Sequence, residues 1–377
     1  MKDATRIVRA GARGKTQGAP FLQGPAFASV FHLSGDPVSS PYQYGRYDNP
    51  TWGQFEAALE ELEGGPAIVF ASGMAAVFAA LGTALNHGDV VGVTHDAYYA
   101  TRTVGARHLA ERGVGVRMLG VTADPADELE GIAMLWIETP SNPSLNAYDI
   151  ARLAAAAHER NILVAVDNTT PTVGGQKPLS LGADFSVASD TKALTGHSDV
   201  VLGHVAVRDP DRAAKLRAWR TETGSIPGPM EVWLAHRSLG TLDVRLERMC
   251  ANALGVATYL AGRGDLVQVR YPGLPDDASH AIASRQMTRF GPVIGFELPD
   301  AAAAATFFAN SRLVTEATSF GSLHTTGERR ARWGGDAIGE GFIRMSLGCE
   351  HVDDLCDDIG RAIDRALGGP EANAVRS

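Results

Sequence analysis

Residues 162–171 read ILVAVDNTTP and residues 184–200 read DFSVASDTKALTGHSDV. Each opens on a short apolar run and closes on polar residues, the pattern of a buried strand handing its carboxyl end to a loop. Four runs of the same kind precede them: AIVFA (67–71), VVGVT (90–94), VGVRML (114–119) and IAMLWIE (132–138). Helical segments lie between them, so the alternation predicts an α/β fold with a mostly parallel sheet covered on both faces. In such a sheet ligands bind beyond the carboxyl ends of the strands. Those ends carry Ser72, Glu138, Asp167 and Ser189, four polar exits that can converge.

Working outward, residues 1–48 are rich in Gly, Pro, Ser and Tyr without a sustained period, and read as an extended N-terminal arm that packs on a neighbour. Thr51 is the expected cap of the helix WGQFEAALEELEGG (52–65), which ends at a glycine pair. The large domain is expected over residues 49–245. The amphipathic stretch Arg237 to Leu260 is predicted to run as one continuous helix into a smaller α+β domain, residues 246–377. Ala67 to Leu85 is apolar enough to suggest a membrane span, but Ser72 and Gly73 divide it, and strand, turn and helix fit better.

A chain of 377 residues that is 45% hydrophobic and 20% charged can bury a sizeable core. With 34 basic against 43 acidic residues it carries a formal charge of −9, which speaks against nucleic acid as a partner. Its 3 cysteines form no CxxC pair, and the N-terminus lacks the apolar core of a secretory signal; both point to the cytoplasm, without disulfides or structural zinc. No metal is expected, because His197 has no second ligand nearby and no HExxH occurs. GARGKT (11–16) imitates a phosphate loop, but Arg9 stands where its first glycine belongs and no strand precedes it. GERRARWGG (327–335) reads as a solvated charged turn, or as the border of an entrance.

Three stretches carry chemistry. In FASGMAAV (70–77) a strand turns at Ser72, Gly73 and Met74 into an Ala-rich helix, whose first free amides suit a phosphate, although any βα turn can hold a glycine. In ILVAVDNTTP an apolar strand delivers Asp167 to its end, where a buried carboxylate needs a cation or proton donor; a protonated pyridine nitrogen would serve, as would a cap or a salt bridge. Lys192 follows the next strand, 25 residues on, with Ser189 and Thr191 beside it. A lysine forms Schiff bases once its pKa is lowered, yet in a loop it is also an ordinary solvated charge.

In combination the order SGM (72–74), Tyr98, ETPSNP (138–143), DNT (167–169) and SDTK (189–192) resembles the pyridoxal-phosphate enzymes of cysteine and methionine metabolism, the cystathionine γ-synthase and γ-lyase group. The likeness runs from YGRYDNPT (44–51) to RMSLGCEHVDDL (344–355), about four fifths of the chain. It implies fold type I, with a mostly parallel seven-stranded sheet between helices, and pyridoxal 5'-phosphate as cofactor. It also implies that Lys192 carries the cofactor and shuttles protons, and that Asp167 pairs with the ring nitrogen. Tyr98 would stack on the ring and assist the leaving group. Gly73, Met74, Ser189 and Thr191 would hold the phosphate, while Tyr44 and Arg46 reach the phosphate of a neighbouring subunit, in a homotetramer built as a dimer of dimers with shared active sites. Asn142 would lie near the ring hydroxyl and the substrate carboxylate, with Arg344 as the carboxylate clamp and Ser319 beside it.

The activity implied is α,γ-elimination of a sulfur amino acid to thiol, ammonia and 2-oxo acid; a γ-replacement synthase (cystathionine γ-synthase or homoserine-ester sulfhydrylase type) and a cystathionine β-lyase are the alternatives. Several positions depart from the group's pattern. Thr318 replaces an acid that recognises a distal amino group, Phe320 replaces a Leu of the γ-acting members, and Tyr99 replaces a Gly. Ala100 stands where methionine γ-lyases have Cys, and HTTGERRARWGGDAIGEGF (324–342) is unlike the usual Pro-and-His segment. A dinucleotide oxidoreductase would need GxGxxG with an acid about 20 residues on, which is absent. A non-catalytic binding protein would purify colourless.

Overall fold

The structure is a computed structural model that describes residues 1–11, 17–121 and 123–368. Seven strands, β1 (Ala67–Phe70), β2 (Val90–Thr94), β3 (Gly115–Leu119), β4 (Met134–Glu138), β5 (Leu163–Asp167), β6 (Phe185–Ala188) and β7 (Gly203–Val207), form one sheet in the order β1-β7-β6-β5-β4-β2-β3. All pairs among β2 to β6 are parallel, and β7 runs antiparallel to both β1 and β6. The sheet is therefore mostly parallel, as expected of fold type I. Strand β7 is not among the apolar runs expected from the sequence. Residues 189–202 contain no helix to carry a parallel crossover, so the chain re-enters the sheet in the opposite sense.

Both faces are covered because alternate strand residues are apolar on both sides. Ile68, Phe70, Val93, Trp136 and Val187 pack against the helices Gly73–Ala84 and Pro210–Thr223. Leu135, Ile137, Val164 and Val166 point the other way, onto Ile150–His158. Leu59 and Phe55 of the helix Pro50–Glu63 are fully buried, worth roughly 1.5–3 kcal/mol each. The former membrane-like window is strand β1, a turn, and the helix Gly73–Ala84; among the described residues no helix is long and apolar enough to cross a membrane.

A second sheet consists of β8 (Gln268–Arg270), β9 (Val293–Glu297), β10 (Thr315–Glu316), β11 (Thr326–Arg329) and β12 (Phe342–Ser346), in the order β10-β11-β12-β9-β8. Leu355, Ile359, Ala362 and Ile363 recur at helical spacing on Val352–Ala366 and close its core.

Three local expectations are corrected. Asn49, not Thr51, caps the helix Pro50–Glu63: its side chain accepts from Thr51 N at 2.9 Å, while the Thr51 hydroxyl accepts from Ala26 N in the arm. Pro50 at the first helical position, pre-set in φ, moves the start upstream. The stretch 237–260 is two helices, Pro229–Leu239 and Leu242–Ala261, broken at Gly240 and Thr241. The arm is not wholly extended either, since Asp3–Arg9 is helical and buries Ile7 in the first core. GARGKT lies outside the described residues from position 12 onward.

Candidate active site

One cavity of about 520 Å³ opens at the carboxyl ends of β1, β4, β5 and β6 and is closed on the far side by residues 318–344. Of the residues singled out from sequence, Lys192, Tyr98, Asp167, Gly73, Met74, Asn142, Ser189, Thr191, Ser319 and Arg344 all line it. Tyr44 and Arg46 do not. They sit on the arm, where the Arg46 guanidinium lies 5.0 Å from the Tyr47 ring centroid and donates to Thr221 O at 2.6 Å.

The phosphate end follows from the turn after β1. Ser72 caps the helix, accepting from Ala75 N at 3.1 Å, so the Gly73 and Met74 amides precede the first helical hydrogen bonds and stay available. Glycine is required at 73: a Cβ there would lie 2.6 Å from the Ser189 Cβ. The Thr191 hydroxyl beside this cradle exchanges hydrogen bonds with Leu202, donating to its O and accepting from its N, each at 3.1 Å.

Asp167 ends β5 opposite Glu138 of β4 and is 7% exposed. Burial pushes its carboxyl above the ordinary value, against the Thr169 hydrogen bonds and the Lys192 charge, which hold it down. Glu138 is pushed well up, first by burial and then by Asp167, and its carboxylate accepts the Tyr98 N–H. Lys192 Nζ donates to Ser319 Oγ at 2.6 Å. Burial, then the Arg344 charge, pull this amine down to about 8, with Asp167 and Glu328 opposing. Ser319 adopts φ 75°, and Gly321 beyond it approaches the Lys192 loop so closely that a Cβ would sit 2.3 Å from Ala193 N.

Arg344 is 3% exposed. It donates to Asn142 Oδ1 at 2.8 Å, Ser319 O at 2.9 Å and Glu328 Oε2 at 2.9 Å. Burial, then Arg330, lower its pKa to about 10. Glu328 is its cross-strand partner on β11 and also accepts from Arg330 at 3.2 Å and Trp333 Nε1 at 2.6 Å. The sequence marks Glu138 only as one of four polar strand ends, and Glu328, Arg330 and Trp333 only as part of a charged turn or entrance border; all four line the cavity.

Residues 5–364 match the model of one family, described as Cys/Met metabolism PLP-dependent enzyme. The chain belongs to this family. A Streptomyces coelicolor protein provisionally named cystathionine gamma-lyase is 52% identical over 96% of this chain and 93% of its own length. A cystathionine beta-lyase of Lactococcus lactis is 33% identical over 96% of this chain and 98% of its own. The crystal structure of cystathionine gamma synthase from Xanthomonas oryzae pv. oryzae in complex with cystathionine superposes with a TM-score of 0.92 at 34% identity, covering 97% of this chain and 99% of that one. The chain is a PLP-dependent enzyme, and its cofactor is pyridoxal 5'-phosphate.

The residues present fit that group. A glycine cradle with two uncommitted amides suits the phosphate, a buried acid lacking a strong cationic partner suits a ring N–H, and a lysine amine near 8 suits an aldehyde. Among the described residues no group of three or more His, Cys, Asp or Glu could hold a metal ion.

Proposed function

We propose that this chain cleaves a carbon–sulfur bond by α,γ-elimination of a sulfur amino acid such as cystathionine, in the manner of a cystathionine γ-lyase, giving thiol, ammonia and a 2-oxo acid. The observation that carries the lysine chemistry of this reading is the Lys192 amine in the cavity, hydrogen-bonded to Ser319 at 2.6 Å and lowered to about 8 by burial and Arg344. The 52% identity to the Streptomyces coelicolor protein supports the γ-lyase assignment.

When bound, pyridoxal 5'-phosphate supplies an electron sink for the pair left at Cα. Asp167 would hold a proton on the ring nitrogen, and the amides of Gly73 and Met74 with Ser189 would hold the phosphate. Arg344 clamps the substrate α-carboxylate, and Asn142 fixes the clamp from the other side. Lys192 takes the proton from Cα and moves protons between substrate carbons, a task suited to an amine titrating near working pH. The Tyr98 hydroxyl delivers a proton to the departing sulfur. We also infer that Tyr44 and Arg46 complete the site of a second copy in a cytoplasmic homotetramer, and that the two domains divide near residue 245, inside the helix Leu242–Ala261. That helix packs Leu242 and Leu246 on the first core and Val256 and Leu260 on the second.

The test is product analysis with L-cystathionine, with and without an added thiol. α,γ-Elimination gives cysteine and 2-oxobutanoate with no dependence on the thiol. Homocysteine and pyruvate would mean β-elimination, and a new thioether formed only with added thiol would mean γ-replacement; either would overturn the proposal.

A further inference from the structure

The wall facing Lys192 is built by residues 328–334, the segment of the cavity unlike the rest of the family pattern. Its acids are already committed. Glu328, 1% exposed, accepts from Arg344, Arg330 and Trp333. Asp336, behind the wall, accepts from Arg102 at 2.7 Å and Arg330 at 2.9 Å. Glu138 lies on the opposite side under Tyr98, and Thr318 brings only a hydroxyl. With Asp167 assigned to the ring nitrogen in the reading above, a cationic group on the outer end of a substrate would meet no free carboxylate among the described residues of the cavity.

The cations are in surplus. Three guanidinium groups, from Arg344, Arg330 and Arg102, share the two carboxylates of Glu328 and Asp336. Arg344 is taken up by the α-carboxylate in the reading above, on which this inference rests. That carboxylate balances the third charge, so what Arg330 keeps is donor capacity: it lines the cavity, its side chain is 11% exposed, and its Nε–H is enclosed with no acceptor. An unsatisfied donor inside protein is costly, and an incoming acceptor recovers that cost.

We propose that Arg330 is the specificity-determining residue for the distal end of the substrate, and that the group it receives is a carboxylate. Glu328 and Asp336 grip its two Nη atoms, so the guanidinium is held in place, with one N–H on each Nη and the Nε–H left over from these two bonds for an incoming acceptor. Trp333, braced by its indole N–H on Glu328, forms the apolar side of the same pocket. Arginine suits this role better than lysine because its planar fork matches a carboxylate and loses less freedom on binding.

The test compares three L-homocysteine thioethers that share the α-amino acid end and differ only at the tip: S-(2-carboxyethyl), S-(2-aminoethyl) and the uncharged S-propyl. Each is read as kcat/KM on the holoenzyme where it is cleaved, and as a dissociation constant by calorimetry where it is not. The carboxyethyl compound should lead the propyl compound by about tenfold or more, with the aminoethyl compound last. In Arg330→Gln the carboxyethyl lead should fall to about threefold or less. The ranking on the unaltered protein needs no variant, so it stands even if Arg330→Gln folds poorly. A propyl compound equal to the carboxyethyl one, an aminoethyl compound ahead of both, or a lead unchanged in Arg330→Gln overturns the proposal. Failure of the elimination reading looks different: no compound releases thiol, while the binding order persists.

Discussion

Lys192 shows how neighbours make a reactive amine from an ordinary one. Burial and Arg344 disfavour its protonated form, and Asp167 and Glu328 restrain the shift to a value of about 8. The amine must be neutral to attack an aldehyde. Below pH 8 cofactor capture by the cofactor-free chain should rise about tenfold per pH unit, then level off above it. Stopped-flow absorbance checks this, and a rise that continues to pH 10, as for a free lysine, contradicts it. Replacing Arg344 by Gln removes a lowering influence, so the midpoint should move up. The same variant loses the carboxylate clamp: kcat/KM should fall roughly 30- to 100-fold, about 2–3 kcal/mol, mainly through KM. Steady-state kinetics on L-cystathionine decide this, and a loss confined to kcat would place Arg344 elsewhere in the mechanism.

At the scale of elements, the Lys192 loop is tied down from beneath. His204 on β7 is buried between Asp190 and Glu63, at 2.7 and 3.1 Å. Burial disfavours its charge, but the two acids prevail and raise its pKa to about 10. His204→Ala leaves two buried acids without their cation, so it should cost about 3–5 kcal/mol. Denaturant midpoints measure the loss, and an unchanged midpoint contradicts the account. The His204 contribution is fully present below pH 6.5 and is lost as pH rises toward 10, because the folded pKa is the higher one. This element was not legible in the sequence: GHVAV opens on a glycine and a histidine, and only pairing with β1 and β6 makes it a strand. The parallel strands were legible because buried runs end in polar residues. Asp167 and Lys192 could be found because each follows such a run. Glu328 and Arg330 could not, since their meaning arises when β11 pairs with β12 and sets Glu328 opposite Arg344. The single helix expected over 237–260 failed because Gly240 and Thr241 break a pattern whose apolar spacing continues across the break.

The whole molecule shows an arm whose aromatic residues serve no core of its own chain: Phe21 is 97% exposed and Phe27 70%. With Tyr44 and Arg46 outside the cavity, the proposed shared site has a simple test by complementation. Lys192→Ala and Arg46→Ala should each be inactive alone. Coexpressed, they form mixed dimers with one intact site, so about a quarter of native activity should return. No recovery would mean that each chain builds its site unaided. The most direct measurement of the central claim is borohydride reduction of the purified yellow protein, followed by peptide mass analysis. The account predicts a reduced pyridoxyl-phosphate adduct on the peptide that contains Lys192 and on no other. An adduct on a different lysine, or none on protein that absorbs in the visible, would contradict it.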